Sequence, residues 1–343
     1  MTTLPKFIEK RGNRYAVRFS KGMLPDGRRR FGSYDTIEDA VAARDAELRR
    51  ALGEPEVEGL TNCDTDLDPD ELWAAAFRAQ LQTEEVHAKR YNRSITIPGA
   101  DKPFALAFLS DLHFGSADTD YRKARADAEI IRDTDRMWCG YHGDGIDNWI
   151  MGKLAGLQRG QAMPFDAEVQ LFADWLGMLK GKLLWAVAGN HDNWTVKLSG
   201  FDLIAEALRG TRVLYDRYEV VFELRHGETT TRVKVRHQWK YSSVFNATHG
   251  VEVSWERGGA DFDIGLGGHT HIGTLCRPFL RHGRQRYAIL TGTYKVDGDF
   301  GRKLGLPLPH GHGSGAMVFY PDGGGVFIED LKKASDFLRF LLG

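Results

Sequence analysis

Thiols, long apolar runs and an excess of either charge are all scarce in this 343-residue chain. Its three cysteines, Cys63, Cys139 and Cys276, are odd in number and far apart, which argues against a disulfide framework and favours reduced thiols. No apolar signal core opens the sequence, and no run approaches the roughly 20 apolar residues of a membrane helix. The net charge of −1 provides no overall attraction to nucleic acid or to a membrane. We therefore expect a cytoplasmic protein without a membrane partner.

The balanced total charge conceals an uneven distribution along the chain. Residues 1–52 carry twelve basic and seven acidic side chains, whereas residues 53–73 carry eight acidic side chains and no basic one. The acidic stretch also contains Pro55 and Pro69, and a change of this kind indicates a linker. We predict a small first domain at residues 1–52, an acidic linker at 53–70 and a large second domain at 71–343.

Five short motifs follow one another through the large domain, each where an apolar run ends and a loop begins. Side chains at strand ends can converge on one point in space. Five of the twelve histidines fall at these positions, which unrelated loop residues would not explain. The motifs are Asp111-Leu112-His113, Gly143-Asp144-Gly145-Ile146-Asp147-Asn148, Gly189-Asn190-His191-Asp192, His237, and Gly268-His269-Thr270-His271.

The residue types in these motifs indicate a site for two divalent metal ions. Two ions about 3.5–4 Å apart can hold both the attacking water and the phosphoryl oxygens of an in-line displacement. A carboxylate must bridge such a pair, because the single lone pair of a neutral imidazole cannot bind two ions, and we assign the bridge to Asp144. All the donors are nitrogen or oxygen, which suits manganese, iron or zinc.

The order of the motifs resembles that of the calcineurin-like metallophosphoesterase superfamily, whose pattern reads Asp-x-His, Gly-Asp-x-x-Asp, Gly-Asn-His-Asp/Glu, a single His and Gly-His-x-His. The resemblance covers roughly Phe104 to Tyr294 without a departure at a ligand position. It implies a four-layer α/β sandwich of two facing mixed sheets between helices, with two metal ions at one sheet edge. Manganese is favoured, with iron, zinc or nickel as alternatives. The implied ligands are Asp111, His113 and His271 for one ion and Asn190, His237 and His269 for the other.

The resemblance also assigns roles beside the metals. His191 would protonate the leaving oxygen or contact the phosphate, and because it directly follows the ligand Asn190, we expect its side chain to point away from the metal shell. Histidine suits acid catalysis near neutral pH. Asp147 would orient His191 through its carboxylate, or else be an ordinary loop residue. We expect Asp192 to form structural hydrogen bonds.

Either of two histidines could supply the fourth motif, His237 or His249. The alternation of residues 231–237 predicts a strand that ends at His237, whereas His249 lies in what reads as a turn. We assign the ligand to His237 and leave His249 either facing the substrate or forming a loop hydrogen bond. Three basic side chains near the motifs could hold phosphates, namely Lys240, Lys295 and Arg302. Three tryptophans near the motifs could stack on a base or else pack in the core, namely Trp149, Trp194 and Trp239.

Residues 1–52 read as three strands followed by a helix capped by Asp35 or Thr36. The stretch Arg30-Phe31-Gly32-Ser33-Tyr34-Asp35-Thr36, followed by Glu38-Asp39-Ala40, resembles DNA-binding domains of the ethylene-response-factor type and the arm-binding domains of phage integrases. The resemblance implies a phage or mobile-element origin and nucleic-acid contacts through the sheet. A solvated basic edge is the alternative. The arginines concerned are Arg14, Arg18, Arg28, Arg29 and Arg30.

These patterns together predict a dinuclear metal-dependent phosphoesterase acting on nucleic acid, either as a nuclease or as an end phosphatase. The first alternative is a phosphatase or cyclic-nucleotide phosphodiesterase for small molecules, whose first domain binds a partner. The second is a catalytically silent DNA-binding protein, although the loss of ligands that would mark it is not seen in the sequence.

Overall fold

The computed structural model describes residues 5–20, 23, 29–51, 68–150, 160–241, 243, 245–257, 261–271, 273–296 and 313–343. The chain separates into two compact units, residues 1–80 and 81–343, and the division falls inside a helix at residues 69–91. The predicted domain limits stay a prediction. Residues 53–67 of the predicted linker, together with Arg28 and Arg302, lie outside the described residues.

Within the described residues, the first unit contains a three-stranded antiparallel sheet followed by one helix, as predicted, and also the beginning of the helix at residues 69–91. Val17 is fully buried and pairs with Ile8 across the sheet, and both pack with Ala40 of the helix. Thr36 caps that helix, because its hydroxyl oxygen accepts a hydrogen bond from the Asp39 backbone N–H at 3.1 Å. The elements are β1 (Ile8–Arg11), β2 (Arg14–Arg18), β3 (Arg30–Tyr34) and α1 (Ile37–Ala51).

The remainder of the chain alternates strands and helices. Helix α2 (Pro69–Tyr91) comes first and is followed by β4 (Ser94–Thr96). The later elements are β5 (Phe104–Leu109), α3 (Tyr121–Asp133), β6 (Met137–Tyr141), α4 (Phe165–Met178), β7 (Leu183–Val187), α5 (Asn190–Ser199), α6 (Leu203–Ala207), β8 (Leu214–Asp216), β9 (Val220–His226), β10 (Thr229–Val235), α7 (His249–Arg257), β11 (Ile264–Gly267), β12 (Leu275–Arg281), β13 (Arg284–Leu290), β14 (Ala316–Phe319), β15 (Gly325–Ile328) and α8 (Leu331–Leu342).

Two mixed sheets form the core of the second unit. Within the described residues, one has the order β12-β13-β11-β10-β9-β4 and the other β15-β14-β5-β6-β7-β8. Strand β5 is buried along its whole length, and its side chains alternate between large and small from Phe104 to Phe108. Phe104, Leu106 and Phe108 join the apolar cluster between the two sheets, and the alternate residues Ala105 and Ala107 face the helices.

Helices cover the outer faces of both sheets. Helices α3, α4 and α8 pack on the β5 sheet, where Ala124, Trp175 and Leu338 are buried. Helix α7 packs on the other sheet through Val251, next to Phe262. This arrangement of four layers confirms the predicted fold class. None of the helices in the described part of the chain is long and apolar enough to cross a membrane.

Two helices begin where the sequence indicated loops. Helix α5 starts at Asn190 inside the third motif, because the Asp192 carboxylate accepts the Gly189 backbone N–H at 2.8 Å and closes the first turn. Helix α7 starts at His249, where a turn was expected, and the Thr248 hydroxyl before it donates to Glu252 at 2.7 Å. Both starts depend on side-chain hydrogen bonds that residue periodicity does not reveal.

We expect Leu106→Ala to lower the free energy of unfolding of the second unit by about 2–5 kcal/mol, because the side chain lies buried between the two sheets and its loss leaves a cavity. Urea unfolding followed by circular dichroism measures the change. The control is Leu198→Ala on helix α5, where the leucine is 61% exposed and the loss should stay within about 0.5 kcal/mol. Equal losses in the two variants would contradict the assignment of the core.

Candidate metal centre

The five motifs follow strands whose carboxyl ends meet at one edge of the sandwich. Asp111 comes two residues after β5, Asp144 three after β6, and Asn190 three after β7, and these strands run parallel. His237 comes two residues after β10 and Gly268 directly after β11, which is parallel to β10. One sheet therefore supplies the first three motifs and the other sheet supplies the last two.

The backbone is left-handed at five of the seven predicted ligands. A non-glycine residue rarely takes a positive φ, and each instance costs about 1–3 kcal/mol. Their occurrence together shows that surrounding contacts hold these side chains against local preference. The φ angles are 54° at Asp111, 50° at His113, 56° at Asp144, 71° at His269 and 52° at His271.

The first cluster consists of Asp111, His113 and His271. His271 Nε2 lies 3.0 Å from Asp111 Oδ1 and 3.1 Å from His113 Nε2, and the latter lies 3.9 Å from Asp111 Oδ1. Asp111 and His113 are buried, whereas the His271 side chain is one-third exposed. The predicted ligands of one ion thus lie side by side.

The second cluster consists of Asp144, His237 and His269, with Asn190 beside it. His237 Nε2 lies 3.2 Å from His269 Nδ1, 3.1 Å from Asn190 Oδ1 and 3.2 Å from Asp144 Oδ2. The same Asp144 Oδ2 lies 3.9 Å from Nε2 of His113 in the first cluster. One carboxylate oxygen therefore faces both clusters.

The spacing of these donor atoms fits divalent metal ions. Metal–ligand bonds of about 2.0–2.2 Å at right or tetrahedral angles place neighbouring donors about 3–3.5 Å apart. In each cluster the candidate ligand atoms lie within 4.8 Å of one another. Imidazole nitrogens and carboxylate and amide oxygens are donors that manganese, iron, zinc and nickel accept.

Hydrogen bonds from outside the clusters orient the ligand rings. His113 Nδ1 pairs with Asp147 Oδ1 at 2.9 Å, and His237 Nδ1 donates to the His142 backbone carbonyl at 2.8 Å. Each pairing directs Nε2 into the site, as is usual for histidines that bind metals. Asp111 Oδ2 accepts the backbone N–H of His269 at 3.0 Å, which joins the two sheets across the site.

The position of Asp147 corrects a prediction. Its carboxylate was expected to orient His191, but it pairs with His113 and with Lys295 Nζ, which lies 2.9 Å from Oδ1. His191 Nδ1 instead donates to the Asp147 backbone carbonyl. The reason is geometric, because a residue that presents its carbonyl to one histidine directs its side chain to another neighbour. The Asp147 side chain therefore supports the first cluster, and its backbone carbonyl supports His191.

His191 lies closer to the clusters than expected. One of its ring nitrogens falls within 4.8 Å of the donor atoms of His113 and Asp144, and its backbone N–H donates to Asp144 Oδ1 at 2.9 Å. The ring packs against Trp194 with 4.0 Å between centroids and against Trp149 with 4.8 Å. Burial lowers the pKa of His191 to about 4.

Asp192 and Gly189 hold the third motif against the second. The Asp192 carboxylate accepts backbone N–H groups from Gly189, Asp144 and Gly145 and the Tyr141 hydroxyl, in agreement with the expected structural role. A Cβ on Gly189 would lie 2.0 Å from Asp144 Oδ1, so only glycine permits this approach.

The remaining predicted contacts lie at varied distances from the clusters. Lys295 is close, whereas Lys240 is exposed and places its Nζ 5.4 Å from the ring centroid of Tyr241. His249 is half-buried in the first turn of α7 and belongs to none of the three clusters found among the described residues. Trp239 is buried and donates to the Leu266 carbonyl, which is core packing.

Three residues without an assigned role also approach the site. The Asn148 amide donates to the His191 carbonyl at 2.6 Å, and Gln161 Nε2 donates to Asp147 Oδ2 at 3.3 Å. Glu168 is buried on α4, and burial raises its pKa to about 7. A sequence signal existed for Glu168, because it lies four residues before Phe172 on the apolar stripe of α4.

In the metal-free protein, the charge of each cluster depends on whether its histidine rings are protonated. Burial and Lys295 oppose protonation of His113, but the carboxylates of Asp111 and Asp147 outweigh them and raise its pKa to about 9. Burial likewise opposes protonation of His237, but Asp144 raises its pKa to about 10. In return, His237 holds the pKa of Asp144 below its usual value although burial acts to raise it.

No family model matches the chain, and no curated protein matches it either. Solved structures similar to it include Vacuolar Protein Sorting 29 from Cryptosporidium parvum, at 16% identity over 66% of this chain and 97% of that chain, with a TM-score of 0.35. Calcineurin-like phosphoesterase YfkN from Bacillus subtilis follows at 12% identity over 71% and 99%, with a TM-score of 0.28. The Pseudomonas putida nuclease MPE shows 14% identity over 65% and 85%, with a TM-score of 0.29.

We expect the metal-free protein to release about two protons when it is loaded with Mn²⁺ at pH 7. His113 and His237 have raised pKa values, so both rings are protonated at that pH, and a ring must lose its proton before the nitrogen can bind metal. Calorimetry in buffers of different ionisation enthalpy counts the protons. The number of protons released should fall as the pH rises from 7 toward the pKa of His113, because that ring then carries less than a full proton before it binds metal. Release that is absent at pH 7 would contradict the charge assignment.

Proposed function

We propose that this chain is a phosphoesterase that works with two divalent metal ions. The observation that carries the proposal is the position of Asp144 Oδ2, which lies 3.2 Å from His237 Nε2 and 3.9 Å from His113 Nε2. One oxygen facing donor atoms of two separate clusters is the arrangement that a bridging carboxylate needs.

The surrounding residues would complete the two ligand sets. Bound there, the ions would supply a pair of Lewis acids that polarise a phosphoryl group and lower the pKa of water. Manganese is our first choice among the metals that suit nitrogen and oxygen donors, ahead of iron, zinc and nickel. The ligands would be Asp111, His113 and His271 for one ion and Asn190, His237 and His269 for the other, with Asp144 shared.

His191 would protonate the leaving oxygen. Burial lowers its pKa to about 4, so the ring is neutral at pH 7 in the free protein. The negative charge of a phosphate ester raises the pKa of a histidine beside it, and the proton is then taken up with the substrate. Because Nδ1–H is held by the Asp147 carbonyl, Nε2 is the nitrogen that delivers this proton.

We further propose nucleic acid as the substrate, on the basis of the first unit. The cross-strand pairs Arg11–Arg14 and Arg18–Arg30 lie on the sheet face opposite the Val17 side that packs with α1. We call Arg11, Arg14, Arg18 and Arg30 the open face. Arg14 pairs with Asp35 and Arg18 with Glu9, which leaves the face positively charged overall. A basic sheet of this kind can enter the major groove or follow the phosphate backbone.

Two substitutions separate metal binding from acid catalysis. Asp144→Ala should abolish binding of both ions, because it removes the shared oxygen. His191→Gln should keep the metal content and lower turnover about 10²–10⁴-fold. Metal analysis and steady-state kinetics with Mn²⁺ measure the two effects, and Asp101→Asn at an exposed position is the control.

The choice of leaving group tests the role of His191. An acid matters most for a poor leaving group, so His191→Gln should reduce cleavage of a dinucleotide far more than cleavage of a p-nitrophenyl ester. Equal losses on both would show that His191 only contacts the phosphate. Normal turnover of both would overturn its assignment altogether.

Arg18→Gln combined with Arg30→Gln should weaken binding to duplex DNA. The slope of the logarithm of the binding constant against the logarithm of the salt concentration should become shallower by about 1.8, because two phosphate contacts are lost. Hydrolysis of a p-nitrophenyl ester should not change. The matched control, Arg49→Gln with Arg50→Gln, removes the same charge from the last turn of α1. An equal effect in the control, or none in either pair, would favour a small-molecule enzyme whose first unit binds another partner.

A further inference from the structure

Three aromatic rings and one backbone carbonyl surround the imidazole ring of His191. The ring centroid of Trp194 lies 4.0 Å from that of His191 with 31° between the planes, and the centroid of Trp149 lies 4.8 Å away at 72°. The His113 ring lies 4.6 Å away at 89°. Nδ1 donates to the Asp147 carbonyl, and His191 is only 7% exposed. We call Trp149 and Trp194 the tryptophan pair.

The tryptophan pair comes from two different elements. Trp194 follows His191 by three residues on α5, so the two side chains lie on one face of that helix. Trp149 lies in the loop after β6, where its indole N–H donates to the Asp147 carboxylate. The Asn148 amide joins that loop to α5 by donating to the His191 carbonyl at 2.6 Å. The two indole rings meet beside His191, with 5.2 Å between their centroids.

The burial of the tryptophan pair favours packing over stacking on a base, the two roles that the sequence left open. Trp149 is 9% exposed and Trp194 is 8% exposed. Stacking on a base requires an open aromatic face, whereas these two rings pack on each other and on His191. We therefore place their effect on the reaction in the contact with His191.

Trp194 restricts how the His191 ring can move. An imidazole turns readily about the bond that joins it to Cβ, because this torsion has broad, roughly two-fold minima. The turning ring sweeps the space above and below its own plane, and Trp194 occupies part of that space because its plane lies only 31° from the imidazole plane. A reacting group misplaced by about 1 Å can lose about 10²-fold in rate. The position of Nε2 therefore depends on the tryptophan as well as on the hydrogen bond of Nδ1.

We propose that Trp149 and Trp194 are positioning residues for the proposed acid. They prevent rotation of the His191 ring and thereby keep Nε2 directed at the leaving oxygen. The inference rests on the proposed function where it names His191 as the acid. The restraint on the ring concerns only the described contacts and can be measured without metal or substrate.

The proton on Nδ1 of His191 reports the restraint directly. This proton is held by the Asp147 carbonyl in a buried ring, so it should exchange slowly with water and give a downfield proton resonance in the metal-free protein. Its absence from the His191→Gln variant assigns the resonance. We expect Trp194→Leu to broaden or remove it, because the ring then turns. The matched control is Trp175→Leu, which removes another buried tryptophan, 2% exposed on α4, and should retain the resonance.

Kinetics with two leaving groups test the consequence for the reaction. With Mn²⁺, Trp194→Leu should lower kcat for a dinucleotide about 10- to 100-fold with little change in KM. The kcat for a p-nitrophenyl ester, whose leaving group needs no acid, should fall by less than about threefold. Trp194→Phe keeps a flat ring against the imidazole and should retain most of the rate on both esters. Trp175→Leu loses packing without touching His191, so the ratio of its two rates should equal that of the unmodified protein.

The outcomes separate this inference from the proposed function. If Trp194→Leu keeps both the resonance and the ratio of the two rates, the tryptophan does not position His191 and the inference fails alone. A selective loss of equal size in Trp175→Leu would trace the effect to general loosening of the core and would also overturn it. Loss of the resonance in Trp194→Leu together with normal turnover by His191→Gln would retain the restraint and overturn the acid. Trp149→Leu should repeat the pattern and replaces Trp194→Leu if that variant does not fold.

Discussion

The buried carboxylate of Asp144 is the group on which the rest of the site depends. It is 1% exposed, and a buried charge costs several kcal/mol unless a partner compensates for it. The backbone N–H of His191 satisfies one oxygen, while His237 and His113 face the other. Protons on these rings compensate for the charge in the metal-free protein, and divalent ions can replace them. The nitrogen donors around the Asp144 carboxylate explain why the fold can bury so many polar side chains at this site.

Two sheets must approach each other closely for this arrangement to exist. Asp111 and Asp144 come from one sheet and His237 and His269 from the other, so the site lies across the seam of the sandwich. The apolar layer between the sheets fixes their separation, and the His269 N–H that donates to Asp111 closes the seam at the site. The left-handed backbone at several candidate ligands is unfavourable by itself, and the packing of the core stabilises the fold enough to keep it.

The segment 147–149 holds two histidines of the site in place, His113 and His191. The Asp147 carboxylate pairs with His113, and its backbone carbonyl holds His191. The next residue, Asn148, donates from its side-chain amide to the His191 carbonyl, and the Trp149 ring packs against the His191 ring. Three consecutive residues thus contact His113, which is a candidate ligand, and His191, which is the proposed acid. A change in any one of them is expected to affect the other two, because the same short backbone segment positions all three.

The sequence by itself determined the layered fold and the gathering of the seven candidate ligands, because each motif is a local signal at the end of a recognisable strand and parallel strands end at a common edge. Only the tertiary structure decided which neighbour each side chain meets. The Asp147 carboxylate reaches His113, thirty-four residues earlier, and not His191 as expected. Glu168, which lies on the apolar stripe of α4, is a buried acid whose pKa is raised by burial. The starts of α5 and α7 likewise depended on side-chain bonds. Such pairings arise where several elements close on the same small volume, and no periodicity within one element contains that information.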